Sequence, residues 1–429
     1  MRKGVAAAGM EVAGWGLPVV SLFCIWGCHR LAGCVYSELV GEMLAGALLG
    51  PALLDWVPFP DAFAWLGQCA LLLLVVEAGL HFEIETITHL GWRVVSAATL
   101  GVILPLILCP PILWIAGTPF LEAVAASACL SSTSIGFSVT LLRKNNLLAS
   151  SLGQMISGAA MLDDVESLIL LGLLSSWQGS EGILSTFFYL SLPILSSTAI
   201  LLIGVLLSLA LPEVSLWALE VEFDLRSRHS RYSGSSMSSE SSQTAPPTER
   251  RAIPCEVLLP LILLGTSGLV LLAVHTRTTF LLGAFAAGLS FSKVPEAQEA
   301  FQQLSPFISL GLSVFFVSIG FLIPLRIMFS WDIMFLGILL AVPGALSKLA
   351  LGVFERGRLR QAILGCAMVG RGEVGFMMAS SALLSGTISQ HTFLLTSWAL
   401  VLCTALPPLP FSHLVLRLPS SEDRDSLPT

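Results

Sequence analysis

Apolar residues in this chain come in long unbroken runs separated by short polar breakers, and they do not alternate with polar ones. A helix needs about 20 apolar residues to cross the hydrocarbon core of a bilayer, and a buried helix satisfies its own backbone there. Thirteen such spans are predicted, at about 14–33, 37–56, 63–81, 91–116, 120–142, 152–176, 184–211, 256–274, 278–293, 304–324, 331–354, 360–384 and 390–414. The missing alternation argues against a transmembrane barrel. The predicted fold class is an all-α polytopic membrane protein. Its least distinct boundary is "AVHTRTT", between spans eight and nine.

Composition agrees with the pattern. Of 429 residues, 55% are hydrophobic and 11% charged, against about 25% charged in ordinary soluble domains. The net charge is -7 and the basic residues are scattered, so no nucleic-acid partner is expected and membrane lipid is the natural surrounding. The nine cysteines form no CxxC pair. Cys24, Cys28 and His29 lie close together without a second ligand pair, so these residues read as helix packing, and no cofactor is expected. Arg2 and Lys3 precede an apolar run in the manner of a secretory leader, yet no clean cleavage site follows, so the run reads as a mature span.

Charge distribution orients the spans. With thirteen of them, one side carries 4 Lys and Arg and the other 15, with Lys348 and Arg371 left inside spans. The positive-inside rule then places the N-terminus outside and the C-terminus in the cytosol. The expected layout is a tail at 1–13, a first membrane half at 14–211, a linker at 212–255, a second half at 256–414 and a cytosolic tail at 415–429. The linker contains "RSRHSRYSGSSMSSESSQTAPPTERR", too polar to bury a core and therefore predicted to be disordered.

Against this apolar background the charged residues stand out. "ISGAAMLDDVESLILL" (156–171) places Asp163, Asp164 and Glu166 within span six, where each carboxylate costs about 2.5 to 3.5 kcal/mol on insertion scales. Neighbours on a helix point about 100° apart, so the two aspartates need separate compensation. A carboxylate removed from water is stabilised either by a proton or by a nearby cation, which makes it a site where the two compete. Lys348 in span eleven has two readings: an ion pair with one aspartate, or snorkelling to the nearby headgroups. As a pair that breaks when the site fills, it is also a candidate proton carrier.

Spans five and twelve carry polar, glycine-containing interruptions at mid-depth, "SSTSIG" (131–136) and "GRGEVG" (370–375). Seven spans apart, they run in opposite directions, the pattern of an inverted-repeat transporter with its site at the midplane. Thr133 and Ser134 offer the hard oxygens that a small alkali ion prefers. Arg371 and Glu373 face different ways on an unbroken helix, so they read first as structural charges that pair with other groups or with the freed backbone of span five. Glu166, three residues from Asp163, is a candidate cavity-lining acid. Glu77 in "LLLLVVEAGL" reads either as cavity lining or as a helix-pairing contact. Glu42 opens a run of small residues suited to close helix packing.

The chain resembles the monovalent cation:proton antiporters of the Kef and NapA-like branch of the sodium/hydrogen exchanger superfamily. "VGEMLAGALLGPALL" (40–54) is similar to that family's second-helix signature, "SSTSIGFSV" and "GRGEVGF" to its two unwound-helix motifs, and "GAAMLDDV" to its paired aspartates. "LGAFAAGL" (282–289) and "FFVSIGF" (315–321) resemble its later landmarks, and all six occur in family order. The resemblance implies an NhaA/NapA-like antiporter fold of about thirteen helices, with two discontinuous crossing helices, a dimerisation domain that makes a homodimer, and a core moving like an elevator. It implies that Asp164 is the main carrier of Na+ or K+ and of the proton, that Asp163 pairs with Lys348, and that Thr133 and Ser134 lie beside the site. Two departures are Gly370, where the family usually has proline, and Glu166, at a position more often apolar.

The expected activity is exchange of Na+ or K+ for protons, and no enzyme activity is expected. The alternative is a Kef-like potassium efflux system or channel, although such systems usually carry a cytosolic nucleotide-binding domain and only fifteen residues follow span thirteen. A remoter alternative, an intramembrane aspartyl protease, needs aspartates on separate helices facing one water, and these two are adjacent.

Overall fold

A computed structural model describes residues 38–82 apart from 52, 55 and 58, then 91–134, 150–176, 191–211, 255–276 and 278–417, with single residues between 138 and 147. The predicted first span, Cys24, Cys28, His29, nearly all of the linker and most of the C-terminal tail lie outside the described residues.

Every regular element among the described residues is helical. In chain order they are α1 (Glu38–Leu49), α2 (Pro60–Leu80), α3 (Trp92–Leu108), α4 (Pro110–Ile115), α5 (Phe120–Cys129), α6 (Ser151–Ser176) and α7 (Ser191–Leu211). There follow α8 (Cys255–His275), α9 (Phe280–Phe291), α10 (Pro295–Gln302), α11 (Ser305–Phe321), α12 (Leu325–Met328) and α13 (Trp331–Leu349). A 3-10 turn at Ala350–Phe354 leads to α14 (Arg358–Val369), α15 (Glu373–Leu384), α16 (Gln390–Ala405) and α17 (Pro408–Val415).

Among the described residues seven helical segments are long and apolar enough to cross a membrane: α2, α3 with α4, α7, α8, α13 with the 3-10 turn, α14 with α15, and α16 with α17. The 26-residue α6 is long enough as well and stands apart because it carries three acids. One predicted span is shorter than expected. Span nine is only the 12 residues of α9, about 18 Å at 1.5 Å per residue, because Pro295 starts a new helix at N1 shortly after it. In span five the regular helix α5 stops at Cys129, where Leu130 and Ser131 tighten the last turn with bonds to Ser127 O and Ala128 O. Four exposed tryptophans of the helices, Trp65, Trp92, Trp114 and Trp331, sit at or near helix ends, the usual place of an interfacial aromatic belt.

The chain divides into two compact units, one of residues 1–71, 83–194 and 307–429, the other of 72–82 and 195–306. In the first, α13 packs along α16, α3 along α6, and α15 against α5, α6 and α16. One of its apolar cores joins Val94 and Ala97 of α3, Met155 and Ile156 of α6, Ile363 and Leu364 of α14, and Phe411 of α17. Small residues let α1 and α11 approach closely, since a methyl group on Gly46 would lie 2.0 Å from Val317 O. That agrees with the small-residue run that begins at Glu42, itself buried. In the second unit α8 packs on α9 and α10, and Phe82 meets Phe285 edge to face at 5.3 Å.

Candidate functional site

The two helical interruptions predicted from the sequence touch each other in the first unit. After α5 the backbone leaves the helix at 131–134, and between α14 and α15 it leaves at 370–372. Ser134 N donates to Gly370 O at 3.0 Å, Thr133 Oγ1 to Met368 O at 3.3 Å, and Ser138 Oγ to Ala367 O at 2.9 Å. Each break leaves main-chain groups without helical partners. Inside a membrane such groups must be satisfied by protein, and here much of that is done by the opposite break.

Arg371 completes the junction. Its Nη1 donates to Ser132 O at 3.0 Å and, more weakly, to Ser131 O at 3.4 Å. Its Nη2 donates to Gly344 O of α13 at 2.7 Å. The side chain is fully buried and offers a positive fork to carbonyls at the negative end of α5, where a cation is favoured. Thr404 of α16 adds a bond from its Oγ1 to Arg371 O at 2.9 Å.

The aspartates of α6 reach this junction with different surroundings. Asp163 is fully buried and both its oxygens are engaged. Lys348 Nζ lies 2.6 Å from Oδ1, and Thr133 N donates to Oδ2 at 2.7 Å. Lys348 is also fully buried, so its ammonium turns into the protein and not toward the headgroups. The room for this pair comes from Gly101 of α3. A methyl group there would sit 2.9 Å from Lys348 Nζ and 3.0 Å from Asp163 Oδ1. Asp164, one residue on, is partly exposed, while its Oδ1 is buried and has no hydrogen-bond partner.

The remaining predicted residues fall as follows. Glu373 is the first residue of α15, with Ser134 Oγ 3.5 Å from its Oε2. Glu166, partly exposed, accepts from Thr99 Oγ1 of α3 at 2.8 Å. On a helix it lies about 60° to one side of Asp163, and Asp164 about 100° to the other. Glu77 belongs to the second unit, where its main-chain oxygen lies 2.9 Å from His81 Nδ1. The sequence reading did not single out Thr99, Gly101, Gly344 and Thr404. Small or hydroxyl-bearing residues are common in membrane spans, so nothing local marked them. Among the described residues no three His, Cys, Asp or Glu side chains gather as a transition-metal site would need.

These features define a class first: a multi-pass integral membrane protein that gathers buried charges where two helices are interrupted. The chain matches the family described as "Sodium/hydrogen exchanger, transmembrane" over residues 19–221 and 248–416, and it belongs to that family. It is 26% identical over 381 residues to the Na(+)/H(+)-K(+) antiporter GerN of Bacillus cereus, covering 86% of this chain and 88% of that one. It is 24% identical to the high-affinity Na(+)/H(+) antiporter NhaS3 of a Synechocystis species, covering 87% and 84%. K(+) efflux antiporter 5 of Arabidopsis thaliana is 26% identical over 89% of this chain and 64% of its own length. In fold the chain resembles the solved sodium proton antiporter MjNhaP1 of Methanocaldococcus jannaschii, with a TM-score of 0.66, 14% identity and coverage of 95% and 99%.

Proposed function

We propose that this protein is a secondary transporter exchanging a monovalent cation, Na+ or K+, for protons, and that Asp164 is the group the two ions share. One observation carries the reading. Asp163 is held by Lys348 and Thr133 N, and Arg371 is held by carbonyls, but Asp164 Oδ1 is buried without a partner. A bare carboxylate in that position is unfavourable, and either a proton or an alkali ion relieves it. Binding of one ion therefore releases the other. Asp163 and Lys348 neutralise each other beside it, and Thr133 and Ser134 line the same junction. Family membership and the antiporter names of the relatives support this reading.

The wider architecture forms part of the proposal. About thirteen spans arranged as an inverted repeat, with the two breaks as crossing points, would carry the site by an elevator-type movement. The contact between Ser134 and Gly370 supports the crossing. The distribution of Lys and Arg, 4 against 15, supports an extracytosolic N-terminus and a cytosolic C-terminus, and the family resemblance supports a homodimer. Potassium efflux is the second reading of the ion, favoured by the relatives named as K(+) efflux antiporters. The test is purified protein in liposomes under an imposed pH gradient, with Na+, K+ or Li+ added in turn. The native chain is expected to show cation-dependent proton flux and Asp164→Asn none. Undiminished flux in the variant overturns the assignment.

A further inference from the structure

Hydroxyls buried in the helices of this protein commonly satisfy themselves. Ser127 Oγ donates to Ala123 O at 2.6 Å, Thr266 Oγ1 to Ile262 O at 2.8 Å, Ser290 Oγ to Ala286 O at 2.8 Å and Ser347 Oγ to Gly344 O at 2.7 Å. Each reaches back three or four residues along its own helix. Ser167 of α6 does not. It is fully buried, its Oγ has no hydrogen-bond partner, and the carbonyls of Asp163 and Asp164, three and four residues back, go unused by it. A buried hydroxyl left unpaired is costly, so whatever meets it when the site fills recovers that cost.

Helix geometry fixes where that hydroxyl lies. Ser167 follows Asp163 by four residues and Asp164 by three within α6. It therefore stands one turn on, about 40° round from Asp163 and about 60° from Asp164, in the interval between them. Side chains on a helix lean toward its N-terminus, which brings the hydroxyl over the turn that carries the two acids. Residues three apart have Cβ atoms about 5 to 6 Å from each other, close enough for two side-chain oxygens to share one ion. On the far side of Asp163, Glu166 turns to Thr99 of α3. Asp163 itself is spent on Lys348 and Thr133 N. Of the two acids beneath Ser167, Asp164 is the one with a buried oxygen to spare, its unpartnered Oδ1. A carboxylate and a hydroxyl, both orphaned and one turn apart on one helix, are the hard oxygen donors that an alkali ion takes.

We infer that Ser167 is a ligand of the transported alkali cation, its hydroxyl and the Asp164 carboxylate gripping the ion from the same stretch of α6. This rests on the antiport reading above and deepens it. Both ligands belong to one continuous helix, so their spacing is set by that helix and not by the packing of its neighbours. A neutral hydroxyl also adds an oxygen to the site without adding charge.

The test uses the full chain carrying Ser167→Ala, which deletes an oxygen that holds no hydrogen bond. Proton flux in liposomes is titrated with NaCl and then KCl, and the Tm of the detergent-solubilised protein is measured with and without saturating salt, choline chloride serving as the ionic-strength control. The half-saturating cation concentration is expected to rise about fivefold, the scale of one lost neutral contact. The cation-induced gain in Tm should shrink, while the Tm in choline chloride stays at or above the native value. A half-saturating concentration within twofold of native overturns the inference, and so does a lowered Tm in choline chloride with an undiminished cation-induced gain. Ser157→Ala is the control: Ser157 Oγ is also buried and unpartnered, but it precedes Asp164 by seven residues, about 10.5 Å along the helix, out of reach of an ion held there. A rise as large in that variant overturns the inference. If Ser167→Ala does not fold, Ser167→Cys replaces it, keeping the shape with a sulfur that suits a hard ion poorly: a raised half-saturation supports the ligand and an unchanged one overturns it. Native protein lacking both cation-dependent flux and the Tm gain would instead overturn the antiport reading, so the two failures are distinguishable.

Discussion

Gly101→Ala probes the ion pair by adding one carbon atom. The new methyl would lie 2.9 Å from Lys348 Nζ, 3.0 Å from Asp163 Oδ1 and 3.2 Å from Leu351 Cδ1, where ordinary contact begins near 3.4 Å. The lysine end is the most movable of the three, so the pair stretches by about half an ångström from its present 2.6 Å. At an effective dielectric of about 20, that stretch weakens a unit-charge pair by about 1 kcal/mol. Alanine in a helix interior recovers about 0.8 to 1.0 kcal/mol over glycine, so the two terms nearly cancel in overall stability. The Tm of purified protein is therefore expected to move by no more than about 3 °C. Transport should respond more. A change of 1 kcal/mol is about fivefold in the pairing equilibrium of Lys348, and the acid that follows Asp163 on α6 is Asp164, whose buried, unpartnered Oδ1 is open to a released ammonium. There it competes with the cation, so the half-saturating concentration in the liposome assay should rise by up to about fivefold. A raised Tm with native half-saturation would refute the reasoning, because the space beside the pair would then not be limiting. A large fall in Tm with native half-saturation would show that Gly101 serves packing alone.

Two further substitutions test the frame around the site. Arg371→Lys keeps the charge but cannot reach Ser132 O and Gly344 O together, contacts now made by two nitrogens of one planar group; we expect a loss of at least about 2 kcal/mol, read as a lowered Tm, and a native Tm would remove the clamp from the account. Glu122→Ala withdraws the oxygen that accepts from Ser389 N at 2.6 Å and leaves the start of α16 with only its Ser389 side-chain cap. A cost of about 1 to 3 kcal/mol follows, to be seen in the Tm and in faster amide exchange at the start of α16, and unchanged exchange there would count against it.

Much of the helical layout could be read in advance because membrane spans announce themselves by length. The prediction of 152–176 for the acidic helix compares with Ser151–Ser176 in the structure, and that of 331–354 with Trp331–Phe354. The two polar interruptions were visible for a related reason, since hydroxyls, glycines and charges at mid-depth are costly unless the chain there leaves the helix. Asp163, Asp164 and Lys348 stood out by the same cost. Which acid faces the lysine was not visible in helical phase, because a 100° step separates two directions without saying what lies along either. That depends on α13 packing beside α3 and on the room left by Gly101, relations between residues far apart in the chain. Thr99 as the partner of Glu166, and Gly344 and Thr404 as partners of Arg371, were hidden for the converse reason: single hydroxyls and glycines cost little in a span and leave no mark in a hydropathy pattern.

The guanidinium of Arg371 has a mechanical consequence. It binds the end of α5 to α13 through carbonyls for which a lipid tail offers no replacement donor, and its own main-chain oxygen is held by α16. Sliding any one of these segments past the others would strand polar backbone in hydrocarbon, whereas carrying all of them in concert strands none. Any movement of these segments that keeps their polar backbone satisfied must carry the end of α5, Gly344 and Arg371 together.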